Sequence, residues 1–157
     1  MGSVVEILRE FRFRPRVAPE LMRDLLKVTL PAFDGVRVES LDGVRADDNG
    51  PLVVVLSFER TPVFAVVVDA PDGPDSSARL LWPRWAAVVH ERLSLNTVVL
   101  IVTVDEVVER WAQQPVHLPN GLSFRPHVVG PSSIPRDGQN TPNLVLMQLA
   151  ARITGRA

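Results

Sequence analysis

Residues 52–69 read LVVVLSFERTPVFAVVVD, and this stretch decides the fold. It contains two runs of β-branched, aliphatic and aromatic residues, which are typical of strands, joined by the short connection Glu59-Arg60-Thr61. Two such runs with so short a connection predict an antiparallel hairpin. The second run, residues 62–68, is apolar at nearly every position. We therefore expect it to be buried on both faces, in the middle of a sheet.

The segments on either side of the hairpin extend this sheet. Residues 80–93 have the composition of a helix and residues 97–104 form another apolar run, so strand, helix and strand predict a crossover with parallel pairing. Before the hairpin, residues 36–40 alternate like a half-solvated strand, and a helix is expected to begin near Pro19 and to stop at Pro31. The fold class is therefore α/β or α+β, with a mixed central β-sheet of about four to five strands flanked by helices.

Both ends of the chain carry further elements. Residues 4–11 have helical spacing, Asp105 is placed to cap a short helix, and residues 122–129 predict a strand. Thr141 to Thr154 predicts a last helix with one apolar face. The short helix after Asp105 is expected to turn three side chains inward: Val107, Val108 and Trp111.

Length, charge and cysteine content limit the classes of protein. The chain has 157 residues, 46% of them apolar, and a net charge of −1, and it contains no cysteine. The length predicts a single domain over residues 1–157, with a core at 18–113, an N-terminal helix or arm at 1–17 and a C-terminal extension at 114–157. Disulfides, zinc–thiolate sites and thiol nucleophiles are excluded. The apolar runs are too short to span a bilayer, so we expect a cytoplasmic protein with no membrane partner.

The end of the hairpin's second strand is the first candidate site. Asp69 follows six apolar residues and is followed by Ala70 and Pro71. A carboxylate at a strand end can hold a metal ion, can remain from a site that has lost a catalytic group, or can belong to an ordinary strand-to-helix turn. These three interpretations stay open from the residues alone.

A second candidate is a group of basic and aromatic residues near the N-terminus. Such residues can contact phosphates and stack on bases, which makes a nucleic-acid partner possible, although the same alternation is common in an edge strand with one wet face. The three histidines, His90, His117 and His127, lack the spacing of metal ligands. The residues of the basic group are Arg9, Phe11, Arg12, Phe13, Arg14 and Arg16.

Several short segments carry a family resemblance through their order and spacing. The chain resembles the PD-(D/E)XK nuclease superfamily, as in restriction endonucleases, with its α-β-β-β-α-β core. More narrowly, it is similar to an actinobacterial group of nuclease-like proteins related to transposase-associated nucleases. The matching segments are LPAF (30–33), VRAD (44–47), PVFAVVVD (62–69), WP (82–83), RL (92–93), VVLIVTVD (98–105), RWA (110–112), GP (130–131) and IP (134–135).

The resemblance implies a set of site residues. In such nucleases an aspartate precedes or starts the second strand, a position that Asp47 or Asp48 would fill here. A Glu-x-Lys or Glu-x-Gln ends the third strand, where this chain has Asp69 and, two residues later, Pro71. If the site were active, Asp47 and Asp69 would be the ligands of a Mg²⁺ ion. Arg79 or Arg84 could supply the cation that proline cannot.

These residues lead to three expectations about function. The first is a degenerate, catalytically inactive PD-(D/E)XK nuclease-like domain, without a cofactor, that acts as a binding or assembly module. The second is an active Mg²⁺-dependent nuclease with a rearranged site, and the third is a structural subunit of a larger assembly. A protein partner or self-association is expected, and the apolar sheet together with the helix from Thr141 to Thr154 would suit a homodimer.

Overall fold

The computed structural model describes residues 4–41 and 50–133, which contain four α-helices, seven strands and two short 3₁₀-helices. The helices are α1 (Val4–Phe13), α2 (Val17–Asp24), α3 (Ser76–Leu93) and α4 (Glu106–Gln113). The strands are β1 (Gly35–Ser40), β2 (Leu52–Phe58), β3 (Thr61–Asp69), β4 (Thr97–Val102), β5 (Val116–His117), β6 (Ser123–Phe124) and β7 (His127–Val129).

A five-stranded sheet in the order β1-β2-β3-β4-β7 organises the molecule. The strands β1, β2 and β3 pair antiparallel, whereas β3, β4 and β7 run parallel. The second strand of the hairpin, β3, is the central strand of the five, as predicted, and Glu59 and Arg60 have positive φ in the turn. The predicted α+β class, the mixed sheet and the order α-β-β-β-α-β are confirmed.

The two faces of the sheet bury different helices. Because side chains alternate along a strand, Leu52, Val54 and Leu56 point to one side of β2, and Val53 and Val55 point to the other. The first set packs in one core cluster with residues of α1 and α2, and the second set packs in another with residues of α3 and α4. The sheet is therefore covered by a pair of helices on each face, as in other layered folds.

The helix α3 crosses the sheet between the parallel strands β3 and β4. Its first turn is capped by Asp75, whose carboxylate accepts from the backbone N–H of Ser77, and Ser94 ends it in the left-handed conformation. The residues of α3 that are buried against the sheet include Trp82, Ala86 and Val89. This position of α3 brings Trp82 close to the end of β3.

Some boundaries differ from the sequence predictions. The helix α2 ends at Asp24, several residues before Pro31, and the chain then runs in an irregular path. The segment 122–129 is not one strand, because Pro126 interrupts it and has no N–H to donate. Its two halves pair differently: β6 pairs with β5, and β7 pairs with β4.

Two predicted faces are also wrong in detail. Val107 is 54% exposed, whereas Val108 and Ala112 face the core, since the two valines lie about 100° apart around α4. On α3, helical spacing predicts one face formed by Leu81, Trp85, Val88 and Val89, yet Leu81 and Val88 are exposed whereas Val89 is buried.

The N- and C-terminal parts contribute more to the core than the predicted limits of 18–113 suggest. Leu8 and Phe11 of α1 are fully buried in the first core cluster, and β7 joins the sheet. The helix predicted from Thr141 to Thr154 lies outside the described residues. Among the helices that the structure describes, none combines the length and the apolar composition needed to cross a membrane.

Candidate functional site

Asp69 is the last residue of β3 and lies in the sheet beside Ile101 of the parallel neighbour β4. On the other side, Val68 pairs with Leu52, the first residue of β2. The end of β3 and the start of β2 therefore meet at the same edge of the sheet. The apolar neighbour that precedes Asp69 on its own face of β3, Val67, packs in the cluster of α3 and α4.

The carboxylate of Asp69 is engaged by a tryptophan. The indole Nε1–H of Trp82 donates to Oδ2 of Asp69 at 3.2 Å. Burial raises the pKa of Asp69, and the hydrogen bonds from Trp82 and from the backbone of Ala70 oppose that rise without cancelling it. Trp82 itself is fully buried. A buried indole N–H needs an acceptor, and Asp69 supplies it.

The two residues that follow Asp69 carry no polar side chain. Ala70 is buried in the cluster on the opposite face of the sheet, beneath α1 and α2. Pro71, two positions after Asp69, is half-buried and has neither a charge nor a hydrogen-bond donor. The position at which a Glu-x-Lys motif would present its lysine is therefore apolar.

A second tryptophan and an arginine complete the surroundings of Trp82. The rings of Trp82 and Trp111 meet edge to face, with centroids 5.3 Å apart, and the guanidinium of Arg79 lies 5.8 Å from the centroid of the Trp111 ring. Arg79 also donates to the carbonyl oxygens of Gln114 and Pro115, at 2.7 and 2.9 Å. This arginine links α3 to the segment after α4.

Of the other predicted catalytic residues, the structure describes Arg84 and places it away from Asp69. Arg84 follows Trp82 by two positions, about 200° around α3, and it is exposed on the side of the helix away from the sheet. Asp47 and Asp48 lie outside the described residues. Among residues 4–41 and 50–133, no group of three or more His, Cys, Asp or Glu side chains is placed to hold a metal ion.

The basic N-terminal group forms a helix end and a turn, not an edge strand. The helix α1 runs through Phe13, whose side chain is 76% exposed, and the chain then turns before α2. Arg9 and Arg14 are exposed, whereas Arg16 donates to the carbonyl oxygen of Asp34.

The histidines serve separate local roles. His90 is exposed on α3, and its Nδ1 lies 2.7 Å from the carbonyl oxygen of Leu95. Burial lowers the pKa of His127 on β7, so the neutral imidazole is favoured there.

Sequence reasoning missed a buried carboxylate on α4. Glu109 is 3% exposed, and its two carboxylate oxygens accept from the backbone N–H and the hydroxyl of Ser132. Gly130 lies directly against this side chain. The sequence signal was weak, because a glutamate next to Arg110 on a short helix is ordinarily solvated.

Comparisons with other proteins add no relative. No protein family, no curated protein and no solved structure matches this chain.

Proposed function

We propose that this chain is a degenerate nuclease-like domain of the PD-(D/E)XK type that acts as a binding or assembly module. One observation carries the proposal. The carboxylate of Asp69, at the end of the third strand, accepts a hydrogen bond from the buried indole of Trp82, and Pro71 follows two positions later. The acid at the motif position is thereby bonded to a side chain of the core.

A metal-dependent nuclease would need a different arrangement at this edge. It requires ionised carboxylates that bind Mg²⁺ through oxygen, because the metal must polarise the phosphate and activate a water molecule. Burial raises the pKa of Asp69 and so disfavours its charged form. Oδ2 is also occupied by the Trp82 N–H. A metal ion bound by Asp69 would therefore share the carboxylate with the indole.

A cationic group to direct the attacking water is the other requirement. Pro71 cannot act in this way, and the guanidinium of Arg79 is held by two backbone carbonyls and by the ring of Trp111. An arginine also stays charged, so it transfers protons poorly. The contacts around Asp69 thus favour a structural role for the residues at the former motif positions.

An assembly role is favoured by what the fold leaves exposed. Leu80, Leu81 and Val88 lie on the outer side of α3 with exposures of 53%, 38% and 47%. Contiguous exposed apolar side chains of this size mark contact surfaces more often than isolated ones do. A domain without chemistry at its motif residues acts through its surfaces, as a binding module or as a structural subunit of a larger assembly.

The second candidate is an active Mg²⁺-dependent nuclease with a rearranged site. It is favoured by the raised pKa of Asp69 at a sheet edge, since perturbed carboxylates are frequent at functional sites. The start of β2 lies at the same edge, and Asp47 and Asp48 precede it in the sequence. In this candidate Asp47 or Asp48 and Asp69 would bind the metal, and Arg84 would supply the cation.

A nicking assay on supercoiled plasmid with Mg²⁺ or Mn²⁺ separates the two candidates. The matched variant is Asp69→Asn, which keeps an acceptor for the Trp82 N–H but cannot carry a negative charge. We expect wild type and Asp69→Asn to give the same background of nicked plasmid. Metal-dependent nicking by the wild type that is abolished in a folded Asp69→Asn variant would falsify the hypothesis that the domain is catalytically inactive.

A further inference from the structure

The outer face of α3 is apolar although nothing in the described structure covers it. Among residues 78–89 of this helix, Arg79 and Arg84 are the polar side chains, and Arg79 is used on the inner side. A helix that is apolar on both sides is typical of one that is covered on both sides. The sheet covers one side of α3, whereas the described residues provide no packing partner for the opposite side.

From Leu80 to Glu91, all the exposed residues of α3 except His90 share one stripe. At 100° per residue, they fall within an arc of about 120°, centred on the side opposite to Trp82 and Ala86. Exposed apolar side chains occupy most of this stripe, and one arginine and one glutamate interrupt it. The outer stripe consists of Leu80, Leu81, Arg84, Ala87, Val88 and Glu91.

The two charges of the outer stripe have no ion-pair partner within the described part of the chain. On a helix, a charge finds its partners three or four positions away. Those positions around Arg84 are Leu80, Leu81, Ala87 and Val88, so its own helix offers it no carboxylate. The seven-residue separation of Arg84 and Glu91, about 10.5 Å along the axis, also prevents them from pairing with each other.

We propose that the outer stripe of α3 is the surface through which two copies of this chain associate, with the two α3 helices antiparallel. A two-fold axis between Ala87 and Val88 places Arg84 of each copy opposite Glu91 of the other, so the dimer contains two ion pairs and every charge of the stripe has one partner. An isologous interface requires this kind of self-complementary patch. The proposal rests on the assembly role proposed above and names a second copy as the partner.

The centre of the interface suits close packing. Ala87 is small, so the two helix backbones can approach each other at the axis. The methyl groups of Val88, which are exposed in one copy, would be buried beside this axis in the dimer. Leu80 and Leu81 lie level with the residues that directly follow the partner's α3. An interface centred on one helix pair buries less than the ~1,200 Å² of a standard stable interface. The dimer is therefore expected to dissociate in the micromolar range.

Sedimentation velocity of the full chain over a wide concentration range tests the proposal. The wild type is expected to shift from the 17.3 kDa of one chain toward twice that mass as concentration rises. Arg84→Glu and Glu91→Arg each turn two attractive pairs into repulsive ones, so each should weaken the dimer by about tenfold or more. The double variant Arg84→Glu/Glu91→Arg restores both pairs and should return to within about threefold of the wild type.

The controls separate this inference from misfolding and from the loss of catalysis. Arg125→Glu reverses an exposed charge outside α3 and should leave association unchanged. A wild type that stays monomeric throughout, as when another segment of the same chain covers the stripe, overturns the proposal. So does a dimer that the single variants do not weaken, or that the double variant does not restore. Nicking activity measured on the wild type and on Glu91→Arg, which leaves every candidate catalytic residue in place, reports on the catalytic question alone.

Discussion

The indole Nε1 of Trp82 lies 3.2 Å from Oδ2 of Asp69, thirteen residues earlier in the chain, and this bond ties the middle of α3 to the end of β3. The donor side chain is fully buried, and burial raises the pKa of the acceptor. A hydrogen bond between a buried indole and a poorly solvated carboxylate stabilises the fold, and it engages one of the two oxygens of that carboxylate. The relationship therefore connects the packing of α3 with the proposed loss of catalysis.

Trp82→Phe is predicted to destabilise the protein by about 1–3 kcal/mol, because it removes the donor to Asp69 and part of a buried ring. Urea unfolding followed by circular dichroism measures the free energy. Trp85→Phe is the matched control: Trp85 is half-buried on the same helix, and no hydrogen bond joins it to Asp69. The Trp85→Phe variant should lose less free energy of unfolding than Trp82→Phe. Equal losses in both variants would show that ring volume, not the bond to Asp69, accounts for the effect.

The stability of the wild type relative to Asp69→Asn is predicted to fall as pH rises. Folding raises the pKa of Asp69 above its ordinary value of about 3.9, so the proton is bound more tightly in the folded state. Its contribution is fully present below the ordinary pKa and is lost as pH rises through the raised one. The free energies of unfolding of the wild type and Asp69→Asn are measured across the acid range and subtracted. The other carboxylates contribute equally to both proteins, so their contributions cancel in this difference.

Asp75 supplies a control of opposite sign. Hydrogen bonds from the hydroxyl and the backbone N–H of Ser77 lower the pKa of Asp75. Its contribution is therefore present above the ordinary pKa and is lost as pH falls through the lowered one. The difference between wild type and Asp75→Asn should rise with pH over that window. Two differences with the same slope would contradict the assignment for Asp69.

Gly130→Ala is predicted to cost about 1–3 kcal/mol of stability, because the site is already filled. A Cβ at Gly130 would lie 2.5 Å from Cδ of Glu109, a buried side chain held by Ser132. Gly73→Ala is the control, since a Cβ there meets nothing within 4 Å. Thermal unfolding of the two variants should separate them. A Gly130→Ala protein as stable as Gly73→Ala would mean that Glu109 moves aside at little cost.

The sheet was predictable because its signals are local. The run from Leu52 to Val68 is long, β-branched and interrupted once, so the hairpin and its burial followed directly. The parallel pairing of β3 with β4 followed from the helix between them. The short strand β7 could be expected as a strand but not placed in the sheet, since three residues carry too little periodicity to show which neighbour they join.

The inner face of α3 and the bond to Asp69 were not predictable for a related reason. The helix is apolar nearly all round, so periodicity could not distinguish Trp82 and Ala86, which are buried, from Leu81 and Val88, which are exposed. Which residues are buried depends on how α3 is rotated about its own axis where it packs on the sheet. That rotation also decides which tryptophan meets Asp69, so the candidate acid was found from sequence but its partner was not.

The central claim is that Asp69 accepts a structural hydrogen bond from Trp82 and does not bind a catalytic metal. Thermal unfolding during titration with Mg²⁺ and Mn²⁺ tests this claim most directly. A metal bound only by the folded protein at tenfold excess over its Kd would add about 1.4 kcal/mol of stability. Wild type and Asp69→Asn are predicted to show the same small response to either metal at every concentration. A rise in Tm that is present in the wild type and absent from a folded Asp69→Asn variant would contradict the account.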